Sequence, residues 1–130
     1  MTKKIAKIIK LTKNTKNGSL KKYASKKLEL FRLPSKEAPF ETWMNKLNLE
    51  TRVKINAYLL RVCHGGAKKN IRSLNDRIFE IKISSGPGYR VYFGEKESKI
   101  ILLLLGGDKG SQKRDILKAK GYWRIYNESK

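Results

Sequence analysis

Lys82 and Arg90 are the residues best placed to do chemistry, because a single turn sets them against each other. They flank Ser84-Ser85-Gly86-Pro87-Gly88, and a register symmetric about Gly86 puts Lys82 opposite Arg90 and Glu80 opposite Tyr92. Like charges directly opposite on one sheet face are mildly destabilising. A solvated face would tolerate the pair, whereas an anion held between the two side chains would explain it. A slip of one residue would break the pairing. The rest of the chemical inventory is narrow. Cys63 is the lone cysteine, which excludes an internal disulfide, and His64 beside it is the lone histidine, near a helix end. Neither a Cys/His metal site nor a His-based triad is available. Catalysis would have to run on Lys, Arg, Tyr, Glu, Asp or Gln.

The elements that position this pair are alternating strands. Phe79, Ile81 and Ile83 point one way and Ile78, Glu80 and Lys82 the other, and Tyr89, Val91 and Phe93 alternate with Arg90 and Tyr92. Period two with aromatic and β-branched residues marks a half-buried sheet. A charged turn is expected at Gly94–Ser98. Ile100 to Leu105 is continuously apolar, as in a central strand covered on both faces, and Gly106-Gly107 are expected to end it. Ser111 is the expected N-cap of a last helix, whose core stripe is Ile116, Ala119, Trp123 and Tyr126. Gly121 weakens that helix by about 1 kcal/mol relative to Ala.

Upstream, Leu28–Leu33 reads as a strand ended by Pro34. Pro39 opens a helix with Phe40, Trp43, Met44 and Leu47 as its apolar stripe. Asn48 is the expected N-cap of a second helix, which buries Ile55, Tyr58, Leu59, Val62 and Cys63 and stops at Gly65-Gly66. The two helices form a hairpin on one sheet face, and residues 67–76 form a basic connector. The expected class is α+β in the order β-α-α-β-β-β-α, with a small, mostly antiparallel four-stranded sheet.

The chain has 130 residues, enough for one domain with a real core. Its bias is charge: 31 Lys plus Arg against 11 Asp plus Glu, a formal net charge of +20. Such an excess steers a protein toward polyanions or an acidic partner. No run of about 18 apolar residues exists to span a bilayer. Residues 1–27 hold ten lysines and no acid. They read as a basic arm, disordered or partly an amphipathic helix, preceding a domain at residues 28–130. Such an arm would add salt-sensitive, sequence-blind phosphate contacts. Two phosphate-binding signatures are absent: Gly86–Arg90 lacks the G-x-G-x-x-G spacing, and Gly106–Ser111 lacks that of a P-loop.

The combination resembles the RelE/ParE toxin superfamily of type II toxin–antitoxin modules, and within it the HigB-like addiction-module killer proteins. The residues carrying the resemblance are Pro39-Phe40-Glu41 with Trp43, Phe79 to Ile83, and Gly86-Pro87-Gly88-Tyr89-Arg90-Val91-Tyr92-Phe93. They continue through Leu102–Leu105, Gly106-Gly107-Asp108-Lys109, Ser111-Gln112, Asp115-Ile116 and Ala119. The resemblance spans about residues 28 to 126 in the right order.

The resemblance implies a microbial-ribonuclease-like fold and a cytoplasmic endoribonuclease that cuts mRNA on the ribosome without metal or other cofactor. The 2′-hydroxyl attacks its own 3′ phosphate, which needs a proton acceptor, cations for the charge on phosphorus and a donor for the leaving oxygen. Carried over, Arg90 is the phosphate clamp, since its planar fork holds two oxygens. Lys109 stabilises transition-state charge, and Lys82, where the group commonly has arginine, stabilises phosphate or acts as the base. Glu80 is an alternative base and Tyr92 a surface for stacking a nucleotide. Arg77, Lys113 and Arg114 would contact the RNA backbone, while Gln112 and Asp115 read as capping or structural residues. The implied partners are the ribosome with its mRNA and an antitoxin, itself DNA-binding, with an acidic interaction segment; no membrane is involved. A ParE-like DNA gyrase poison acting by binding, or a non-catalytic nucleic-acid-binding relic, are the alternatives.

Overall fold

The computed structural model describes residues 25–129. Of the arm expected at residues 1–27, residues 1–24 lie outside the described residues, and Lys27 already belongs to β1. The order of elements is β1 (Lys27–Leu30), α1 (Pro39–Met44), α2 (Leu49–Cys63), β2 (Ile71–Ser73), β3 (Ile78–Ile83), β4 (Tyr89–Lys96), β5 (Ile100–Asp108) and α3 (Gln112–Glu128). The strands form one sheet in the order β1-β5-β4-β3-β2. β1 runs parallel to β5, and the other pairings are antiparallel.

The sheet therefore has five strands rather than four. The additional strand, β2, lies inside the stretch read as a basic connector. Three residues on an edge, one half-buried and two exposed, are too few to display a period of two. The strands on either side of the glycine turn pair as their alternation requires, with Lys82 opposite Arg90 and Glu80 opposite Tyr92.

The sheet is covered on both faces. On one, Phe40 and Met44 of α1 and Ile55, Leu59, Val62 and Cys63 of α2 pack on Ile81, Ile83, Val91, Phe93, Ile101 and Leu103. On the other, Ala119 and Trp123 of α3 pack on Ile78, Tyr92, Leu102, Leu104 and Leu105. β5 lies between β1 and β4 and is buried from Ile101 to Gly107, which accounts for its unbroken apolar run. The helix starts follow local chemistry. Pro39 occupies the first turn of α1, and the Asn48 side chain accepts the Thr51 amide at 2.8 Å to begin α2.

Three strand ends differ from expectation: β1 stops at Leu30 rather than Leu33, and glycine explains the other two. β5 does not stop at Gly106-Gly107 but continues to Asp108. A Cβ at Gly106 would collide with the Trp43 ring, and one at Gly107 with the Asp115 carboxylate. The two glycines therefore admit a side chain from each layer rather than turning the chain. Likewise β4 runs through Gly94, which lies against Trp123. The turn falls instead on Glu97 and Ser98, both at positive φ (53° and 58°).

A bulge adds a third adjustment. Tyr92 pairs with Leu105 and Phe93 with Leu103, so Leu104 is an extra residue on β5. The alternation is reset there, and Leu104 and Leu105 both face α3. Gly106 is thereby aimed at α1 and Gly107 at the start of α3.

Candidate functional site

Arg90, Lys109 and Lys82 come from three segments that meet at the Gly88 turn. Gly88 has φ of 78°, a left-handed conformation that favours glycine. A Cβ there would lie 3.3 Å from Arg90 Nη1 and 3.8 Å from the Cβ of Lys109. Lys82 stands directly across the ladder from Arg90. Lys82 and Lys109 are exposed, and neither makes an ion pair among the described residues.

Arg90 is different in kind. Its side chain is only 7% exposed, and Nη1 donates to the Gly88 carbonyl at 2.8 Å. Its Nε is buried with no hydrogen-bond partner and lies 4.0 Å from Glu80 Oε2. The guanidinium thus closes the turn.

Glu80 is 4% exposed. Its Oε1 accepts from Arg72 Nε at 3.2 Å and lies 3.1 Å from Arg72 Nη2, while Oε2 accepts from Gln112 Nε2 at 3.0 Å. A buried carboxylate persists only when compensated in this way. The arrangement ties β2, β3 and the first residue of α3 to one carboxylate. Glu80 thereby holds Arg72 and Gln112 in place.

Tyr92 is fully buried, with its hydroxyl beside the Glu80 carboxylate. Burial first, and then the Glu80 charge, hold the phenol well above its ordinary pKa. With no exposed ring face, Tyr92 has no surface on which a nucleotide could stack.

The remaining expected residues lie apart. Lys113 and Arg114 are exposed in the first turn of α3. Arg77 precedes β3, at the opposite end of that strand from Lys82. It donates to the Glu95 carbonyl at 3.0 Å and to the Glu95 carboxylate at 3.2 Å, and does not join the cluster.

The start of α3 is built differently from expectation. The Ser111 side chain makes no cap bond to that helix; Asp108 instead accepts the Ser111 amide at 3.2 Å across a short 3-10 turn, Lys109–Ser111. The Ser111 hydroxyl donates to the buried Asp115 carboxylate. Arg72 and Gln112 were not expected as partners of Glu80. For Arg72 the signal was its register opposite Glu80, hidden by the brevity of β2.

The described residues thus form a five-stranded α+β domain with cationic side chains beside the Gly88 turn. Residues 42–120 match the family model "Phage derived protein Gp49-like (DUF891)", and the chain belongs to that family, a RelE/HigB-type toxin family of toxin–antitoxin systems. The matched stretch contains Arg72, Glu80, Lys82, Arg90, Lys109 and Gln112. An uncharacterized protein of Haemophilus influenzae is 45% identical over 82 residues, which are 62% of this chain and 82% of that relative. Membership implies an antitoxin partner. Among the described residues no helix is long and apolar enough to cross a membrane.

Proposed function

We propose that this protein is the toxin of a type II module, of the HigB-like group, and acts as a ribosome-dependent mRNA endonuclease. The observation that carries the reading is the convergence of Lys82, Arg90 and Lys109 at the Gly88 turn. A phosphodiester lying across the turn meets two exposed ammonium groups with a buried guanidinium behind them. These cations stabilise the charge that builds on phosphorus as the substrate's own 2′-hydroxyl attacks. The P–O5′ bond breaks, leaving a 2′,3′-cyclic phosphate and a free 5′-hydroxyl, and the proton lost from O2′ is balanced by the one gained at O5′. As an ammonium group Lys82 can give a proton to the leaving O5′ while solvent water takes the one lost from O2′, and Glu80 serves as a positioning residue that fixes Arg72, Arg90 and Gln112.

A second reading, gyrase poisoning by binding alone, is favoured by one observation. Leu49 and Val53, one turn apart on α2, are 65% and 58% exposed. Mapping message 5′ ends after brief induction, with translation running and blocked, separates the two. Translation-dependent ends support the nuclease; growth arrest without new ends overturns it.

A further inference from the structure

The Gly88 cluster leaves unused a groove of about 590 Å³ that lies one strand away, between α1 and the first half of α3. Its floor is the end of β5, and its walls carry Trp43 and Lys46 on one side and Arg114, Lys118 and Tyr122 on the other. Two half-buried aromatic rings are fixed there. Trp43 lies over Gly106, steadied by Phe40 at 5.8 Å and Tyr89 at 6.2 Å between ring centroids. Tyr122 is stacked on Phe31 at 5.1 Å.

The charges are unequal in their engagement. The three acids of the lining are hydrogen-bonded to neutral donors and keep their charge: Asp108 to the Ser111 amide, Asp115 to the Ser111 hydroxyl, and Glu37 to the Thr42 hydroxyl at 3.1 Å. Lys46, Arg114 and Lys118 are exposed and make no ion pair among the described residues. Free cations along a wall with fixed aromatic rings match a single-stranded nucleic acid, whose phosphates take the cations and whose bases take the rings. Only one strand separates the groove from the cluster, since its floor residues Gly107 and Asp108 pair with Arg90 and Tyr89.

We propose that this groove holds the single-stranded RNA segment adjoining the phosphate at the Gly88 turn, with Trp43 as its stacking surface; its place beside a scissile bond rests on the nuclease reading.

The test uses the full chain and a short fluorescent 2′-O-methyl oligoribonucleotide, which lacks the attacking hydroxyl and reports binding alone. Reversing the three exposed charges together (Lys46→Glu, Arg114→Glu, Lys118→Glu) leaves the core untouched. Affinity is expected to fall at least tenfold. The log–log salt dependence should become shallower by about 2, since each phosphate contact on a single strand contributes about 0.7. Unchanged affinity and slope overturn the proposal. So does an acidic peptide, such as oligoglutamate, that binds the wild-type groove more tightly than the oligonucleotide and is lost in the triple variant. Trp43→Leu, folded by circular dichroism, should also weaken binding at least fivefold, and undiminished binding would remove the stacking role. Groove-dependent binding without new message ends in cells would retain the groove and discard the nuclease.

Discussion

Glu80 and Arg90 lie diagonally across β3 and β4, with Arg90 Nε 4.0 Å from Glu80 Oε2 and both side chains more than nine-tenths buried. This pair links the candidate chemistry to the fold, because Arg72 and Gln112 converge on the same carboxylate.

Arg90→Ala should therefore unfold the protein more readily as well as alter its site. Removing one partner of a buried ion pair typically costs 3 kcal/mol or more, and Arg72 and Gln112 remain to compensate Glu80. A loss of about 3 kcal/mol in urea unfolding is expected, with Arg90→Lys intermediate. A loss below about 1 kcal/mol would show that Arg90 is not a structural partner of Glu80.

The glycines give a contrasting pair of outcomes. Gly106→Ala and Gly107→Ala drive a methyl into Trp43 and Asp115, and overpacking of this kind costs about 1–3 kcal/mol. Gly121→Ala, on α3 with nothing within 4 Å of the new Cβ, should instead stabilise by up to about 1 kcal/mol. Thermal melts of the three variants check both signs.

These glycines also mark how far the sequence could be read. The Lys82–Arg90 register was legible because alternation and a symmetric turn fix it together, and the stripes on α2 and α3 were legible from helical period alone. Gly106-Gly107 were misread as a stop because a glycine pair after an apolar run looks the same whether the chain turns or a neighbouring layer presses in. Only the positions of Trp43 and Asp115 decide between them. β2 was too short to show a pattern, and the bulge at Leu104 is silent because every residue around it is leucine. At the turn, Lys109 is suggested by the resemblance alone, and burial is not legible: Arg90 and Lys82 stand opposite each other, yet one is enclosed and the other exposed.

Alkaline pH should weaken the fold through Cys63. Burial raises its thiol from 9.0 to about 12, with Lys26 pulling weakly the other way. The unfolded thiol ionises first, so this contribution is complete below pH 9.0 and is lost as pH climbs toward about 12. The slope approaches about 1.4 kcal/mol per pH unit within that window. Between pH 9.0 and 10, before tyrosines titrate in the unfolded chain, Cys63→Ala should show a flatter melting-temperature profile than wild type. Identical profiles would exclude the thiol as the cause.

Lys82→Ala and Lys109→Ala should separate function from stability. Both side chains are exposed and unpaired among the described residues, so unfolding free energy should shift by no more than about 0.5 kcal/mol for each. Growth arrest on induction should nevertheless weaken in each variant and disappear in the double one. Full toxicity of a folded double variant would remove these lysines from the site.

The most direct measurement is the mapping of message 5′ ends after brief induction of wild type and of the Lys82→Ala, Lys109→Ala double variant, with translation active and blocked. New ends bearing 5′-hydroxyls are expected on translated messages only, in wild type and not in the double variant. Growth arrest by wild type without such ends, or equal cleavage by the double variant, would contradict it.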